Sequence, residues 1–269
     1  MKAIAASRLS KAQERILGAR PFAQQMQRVL SGLAGQVDTA VHPLLIQRSS
    51  NAPARPTLVV VVTADKGLCG GFNTSIIKEA SKVIANSGAA GISLGLVGRK
   101  GGEFFRKRGF KVRFEQADVF NQLKYHHAQT IGRNVIEAFV SNEVDSVQLV
   151  YNEFKSVLQQ RVVVDQVLPI RVASQNSTAG TDERRSNYLY EPEPAAIFDK
   201  LIPRYVEIQF YRALLESAAA EHAARLTAME AASNNATEMI DDLTLYMNKV
   251  RQATITGEII EIVSGAEAL

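Results

Sequence analysis

The 269-residue chain has no tryptophan, a single cysteine and only eight prolines, and aromatic residues make up 7% of it. One cysteine, Cys69, excludes an intrachain disulfide framework and points to a reducing compartment. No apolar run approaches the roughly 18 residues that a membrane-spanning helix requires. Met1–Lys2 leads into a basic amphipathic pattern instead of an apolar leader, so no secretory segment is expected. The net charge of +4 is too modest to signal a nucleic-acid binder, which would gather positive charge on one face. His126 and His127 are adjacent and would diverge by about 100° on a helix, while His42 and His222 stand alone. No metal site is assigned, and no catalytic constellation stands out.

What is present begins at the two ends. Leu9, Ala12, Ile16, Ala19, Ala23, Met26, Leu30, Leu33 and Val37 alternate by four and three, the spacing of a coiled-coil seam. Leu226, Met229, Ser233, Ala236, Ile240, Leu243, Met247 and Val250 repeat that alternation near the other end. The ends differ in charge. Residues 1–30 carry six Lys/Arg and one acid, whereas residues 199–269 carry six Lys/Arg and eleven Asp/Glu. A basic and an acidic seam helix in one chain predict antiparallel self-pairing.

Three segments follow: an N-terminal coiled-coil helix in residues 1–50, an inserted α/β domain in 57–193, and a C-terminal coiled-coil helix in 194–269. The first helix is expected to reach about residue 47 and to kink or loosen at Pro21. In the insert, Thr57–Thr63 reads as a strand buried on both faces. Helices are predicted over 73–86, 101–108 and 124–142, with Asn73 as an N-cap, and strands over 92–97, 111–116, 147–151 and 161–168. This order implies a Rossmann-like domain of about five mostly parallel strands. Residues 174–187 read as a polar loop. With no proline after Pro203 and no glycine before Gly257, the last helix is expected to run about 55 to 65 residues, or 80 to 100 Å.

The turns Lys66–Gly71 and Gly95–Gly102 sit where a phosphate loop would in a nucleotide fold, but neither matches the required glycine spacing. Tight strand-to-helix turns explain them better, and a packed thiol explains Cys69 better than a nucleophile does. Acid pairs such as Asp241–Asp242 lie off the seam and read as a solvated face.

Five stretches together resemble the γ subunit family of the F-type ATP synthase. They are Ala5–Gln13 (AASRLSKAQ), Thr63–Asn73 (TADKGLCGGFN), Tyr188–Pro194 (YLYEPEP), Ala228–Ile240 (AMEAASNNATEMI) and Arg251–Ala266 (RQATITGEIIEIVSGA). They occur in the family's order and span the chain. The resemblance implies a non-catalytic rotor shaft with no cofactor, present in one copy per complex. Its paired helices would enter the cavity of an α3β3 hexamer, and its α/β domain would bind the ε subunit and the c-ring. The complex would lie on a bacterial inner membrane, on its cytoplasmic side, with a mitochondrial inner membrane as second choice. The middle domain lacks the cysteine-bearing insert of the chloroplast type.

Residue by residue, the resemblance implies that Arg251 and Gln252 bond to a loop of a β subunit. Lys2, Arg8 and Lys11 would face an acidic β loop, or alternatively complement the acidic helix of the same chain. Tyr188 and Glu191 would touch the c-ring loops, and Ile259, Ile260, Ile262 and Val263 would turn in an apical apolar bearing. Family members usually carry about twenty further residues before the position of Met1; if that stretch is absent, the upper C-terminal helix is expected to lose its partner over roughly 30 Å. Two other classes remain: a nucleotide-dependent enzyme built on the α/β middle, and a generic coiled-coil adaptor.

Overall fold

The computed structural model describes residues 1–34, 42–46, 55–86, 91–170 and 194–267. Helix α1 spans Lys2–Ala34 and α5 spans Pro194–Glu267. Between them lie β1 (Thr57–Val62), α2 (Phe72–Asn86), β2 (Ile92–Val97), α3 (Arg99–Arg106) and β3 (Val112–Gln116). They are followed by α4 (Tyr125–Val140), β4 (Ser146–Phe154) and β5 (Gln160–Leu168).

The strands form one sheet in the order β3-β2-β1-β4-β5, with β5 alone antiparallel. Leu58, Val59, Val60 and Val61 of the central strand are fully buried, as expected for a parallel strand covered on both faces. Helix α4 places Ile131, Val135 and Phe139 in the core. Asn73 lies inside α2 and does not cap it; its Oδ1 accepts from the Ala64 backbone N–H at 2.9 Å.

Helices α1 and α5 are antiparallel. Lys2 meets Glu230, while Arg20 lies within electrostatic range of Glu216, so the residue numbers run in opposite directions along the contact. Leu9, Ala12, Ile16 and Leu30 of the predicted seam are buried, and Ala19 and Met26 are partly so. The side chain of Leu33 and all of Val37 lie outside the described residues.

Both terminal helices depart from expectation in length. Residues 42–46 form a turn, so α1 does not reach residue 47, and it passes through Pro21 as one helix. Helix α5 has 74 residues, about 110 Å at 1.5 Å per residue, and Pro203 lies inside it. Pro194 occupies its first position, where a missing N–H costs nothing. The interior Pro203 is carried by its neighbours: Phe198, Ile202 and Val206 are each at most 1% exposed. Such burial contributes about 1.5 to 3 kcal/mol per side chain and outweighs one lost helical bond.

Candidate functional site: the shaft and its joint to the sheet

Around its middle, α5 is locked to the rest of the chain. Residues 213–223 are all buried, and the small side chains Ser217–Ala220 let the sheet and α1 approach closely. Ser217 Oγ accepts from the Asn152 N–H of β4 at 3.3 Å. Arg225 donates to the Gly67 carbonyl at 2.9 Å and pairs with Glu221 at 2.5 Å, and Glu221 lies 2.6 Å from His222. Gly70, at φ 55°, would bring a Cβ within 3.8 Å of Ala228.

The string Thr63–Asn73 (TADKGLCGGFN) therefore has a local physical reading. Thr63 donates to the Val97 carbonyl at 3.0 Å and accepts from the Gly101 N–H at 2.8 Å. Asp65 Oδ1 accepts from the N–H groups of Arg99 (3.2 Å) and Asp118 (2.8 Å). Gly98 has φ 87°, and a Cβ there would fall 2.0 Å from the Thr63 carbonyl oxygen, so only glycine fits. Both glycine turns serve backbone packing. Cys69 is 2% exposed, and burial together with the nearby Glu221 pushes its thiol above the ordinary value, which disfavours a nucleophilic thiolate.

In open α/β sheets, ligands bind beyond the C-terminal ends of the strands where the strand order reverses, here between β1 and β4. Helix α5 crosses this place through Ser217, Ala224, Arg225 and Ala228. An open groove of about 430 Å³ remains, walled by Gly70, Ser75, Asn152, Leu158 and Ala224, among others, with no charged side chain in its lining. It offers no cation to a phosphate.

Further buried charge anchors α5 lower down. Glu207 accepts from Tyr125 Oη of α4 at 2.8 Å, and burial with this carboxylate pushes the phenol up to about 12. Glu216 accepts from Arg212 Nε at 3.0 Å. Burial still holds its carboxyl above the usual range, with Glu153 adding to the rise and Arg212 opposing it.

Above Glu230 the same helix is bare. Every described residue from 231 to 267 is exposed except Asn248 and Gly257, which are intermediate. The seam residues Ser233, Ala236, Ile240, Leu243, Met247 and Val250 have no partner helix among the described residues. Residues 231–267, about 55 Å of helix, lie above the level at which Lys2 meets Glu230.

Arg251 and Gln252 are exposed on this stretch, and so are Ile259 (55%), Ile260 (59%), Ile262 (71%) and Val263 (51%). Lys2 is ion-paired with Glu230 at 2.7 Å, so its charge complements the acidic helix of the same chain. Arg8 and Lys11 are exposed on α1. Tyr188 and Glu191, like the polar loop 174–187, lie outside the described residues. Sequence reading missed Arg225 and Glu221, which resemble surface residues in composition.

The ATP synthase family model matches residues 1–269, the whole chain. The chain belongs to the ATP synthase family. It is 44% identical to the ATP synthase gamma chain of Chloroherpeton thalassium and 47% identical to that of Solibacter usitatus, covering all of this chain and 91% of each relative. Among solved structures, it resembles one chain of the central stalk/c-ring structure of the Tetrahymena thermophila mitochondrial ATP synthase. That match has a TM-score of 0.61 and 26% identity, covering 87% of this chain and 97% of the other. A Euglena gracilis mitochondrial ATP synthase chain shares the fold at a TM-score of 0.62 and 18% identity, covering 98% and 95%. Members of the ATP synthase family thus share both the sequence and the shaft-plus-sheet architecture.

Proposed function

We propose that this chain is the central rotor shaft of a proton-translocating F-type ATP synthase. The observation that carries the reading is the contrast along α5: its lower part is locked into the sheet domain, and residues 231–267 project bare and apolar from it. A lone helix exposing Met239, Ile240, Leu243, Tyr246, Ile259, Ile260 and Ile262 needs an enclosing partner. The cavity of an α3β3 hexamer supplies one. The sheet domain, at the opposite end, binds the c-ring and the ε subunit.

Proton flow turns the ring, the joint at Ser217–Arg225 carries the rotation into α5, and the asymmetric shaft drives the β sites through their cycle. The chain itself makes no bond and holds no cofactor. Arg251 and Gln252 engage a β-subunit loop, Arg8 and Lys11 face its acidic surface, and Ile259, Ile260, Ile262 and Val263 turn in the apical bearing. Tyr188 and Glu191 meet the c-ring. Lys2 is assigned to the intramolecular pair. Among the described residues no helix is long and apolar enough to cross a membrane. A bacterial inner membrane is the proposed setting. Identities of 40–47% to relatives such as those from Chloroherpeton, Solibacter and Geotalea, against 17–26% to the mitochondrial chains compared, support that choice.

Reconstitution with α and β subunits tests the reading. The expected product is a complex holding one copy of this chain with rotation-dependent ATP turnover; failure to assemble would overturn it. Arg251→Glu is expected to slow turnover severalfold without lowering the thermal stability of the isolated chain, and unchanged turnover would remove the β-loop contact.

A further inference from the structure

A surplus of positive charge lies at the β3 edge of the sheet, far from the shaft contacts. Seven basic residues fall between Arg99 and Arg113. Four have a carboxylate within ion-pair distance: Arg99 with Asp118, Lys100 with Glu103, Arg106 with Glu115, and Arg113 with Glu143. Lys107, Arg108 and Lys111 form no ion pair among the described residues, although Lys107 lies within electrostatic range of Glu103 and Lys111 of Glu143, and all three are exposed. Three unbalanced cations in five residues are most of the chain's net charge of +4.

The turn that carries them is held in place. Helix α3 closes through Arg108 N–H to the Phe105 carbonyl (3.2 Å) and Gly109 N–H to the Arg106 carbonyl (3.0 Å), with Gly109 at φ 75°. Phe105 is fully buried and packs edge-on against Phe104 and Phe110, at 5.1 and 5.6 Å between ring centroids. The Arg108 guanidinium lies 3.6 Å above the Phe104 ring and donates to the Phe104 carbonyl at 3.3 Å. The cations are therefore displayed on a fixed aromatic base.

Topology sets the direction in which they face. Strands β1, β2 and β3 are parallel, and the turn after β1 packs on α5 at Ala224–Ala228, toward the bare shaft. The turn before β3 lies at the opposite end of the sheet. That end also holds the start of α5, where His42 packs edge-on against Phe198 and Ile170 N–H donates to the Leu44 carbonyl.

We propose that the Lys107–Lys111 turn docks on the anionic headgroups of a phospholipid surface. Cations that guard an open sheet edge sit on the edge strand itself. Here the cation on β3, Arg113, is neutralised by Glu143, and the surplus lies in the turn that projects past the strand. A diffuse electrostatic contact also suits a part that turns, because it has no fixed register with the lipids beneath it. The orientation toward a membrane rests on the rotor reading; the lipid contact is measured without it.

The test is co-sedimentation of the full chain with vesicles of phosphatidylcholine alone, or of phosphatidylcholine with about a third phosphatidylglycerol, at low and physiological salt. Each unpaired cation near an anionic surface is worth about fivefold in partitioning, so the three together give on the order of a hundredfold. Binding to the anionic vesicles is expected to fall by at least that factor in the triple variant Lys107→Glu, Arg108→Glu, Lys111→Glu, which removes three cations and adds three anions. Reversing Arg8 and Lys11 on α1 is expected to change it far less. Equal binding to neutral vesicles would attribute attachment to the apolar shaft and overturn the proposal. So would a triple variant that binds like the parent, or equal affinity for double-stranded DNA, which would mark a general polyanion patch. None of these outcomes depends on assembly with α and β subunits, so failure here is distinguishable from failure of the rotor reading.

Discussion

Two stretches of α5, nearly equal in helical character, live in opposite environments. From Phe198 to Ala223 the helix buries Phe198, Val206, Phe210, Leu214 and a run of alanines against α1, α4 and β4. From residue 231 upward it is almost wholly exposed, although its seam keeps the same four-three spacing. Hydrophobic spacing alone therefore does not determine burial. The partner's register does, and here it ends where Lys2 meets Glu230. Helix propensity and i,i+4 contacts sustain the upper part in isolation, so its stability is local and low.

The sharpest way to break this contrast is hydrogen exchange. Amides of Ala213–Ala223 are expected to exchange several orders of magnitude more slowly than those of Ile240–Ile260 in the isolated chain. Equal protection would mean that the upper helix has found a partner.

Core truncation gives the next largest effect. Leu214→Ala, at a site 1% exposed, is expected to cost about 2 to 5 kcal/mol, whereas Leu243→Ala, 60% exposed, should stay within about 0.5 kcal/mol. Thermal melts of the two variants check the difference.

A smaller effect concerns the buried carboxyl of Glu216. Its value is raised by burial in the folded chain, so its ionised form weakens the fold. That cost is fully present above the raised folded value and fades as pH falls toward the ordinary carboxyl value of 4.5. Glu216→Gln is expected to be favourable relative to the parent near neutral pH, with the advantage shrinking as the solution is acidified. Denaturant titrations at several pH values would refute this by showing the opposite slope.

The smallest change belongs to the junction of the two regions. Lys2 and Glu230 are each about half exposed, so Lys2→Ala should cost no more than about 0.5 kcal/mol, and less in high salt.

Much of this architecture was legible in the residues. The spacing Leu9–Ala12–Ile16 marked the α1 seam, and Thr57–Val62 declared a buried strand because a β-branched run suits a sheet covered on both faces. The ends of elements were less legible. Pro203 reads as a helix boundary, yet packing by Ile202 and Val206 overrides a local penalty that the sequence displays and a tertiary gain that it does not. The joint was the least visible. Glu216, Glu221 and Arg225 look like surface residues in composition, and only the fold reveals that they are at most 9% exposed, that Arg225 reaches the Gly67 carbonyl across the chain, and that Glu216 and Glu221 pair along α5 with Arg212 and Arg225. The same holds for the shaft's occupancy: an apolar face reads alike whether α1 covers it or not.

The uninterrupted helix from Pro194 to Glu267 also imposes a counting rule on evolution. Each residue advances an α-helix by about 100° and 1.5 Å, so the azimuth of Arg251 relative to the sheet is set by how many residues separate it from Arg225. Deleting one residue between Glu230 and Arg251 would swing every side chain above by about 100°, while the contacts up to the Lys2–Glu230 pair stay in place. Substitutions in that span are tolerated one at a time, but a change in its length rephases the whole tip at once.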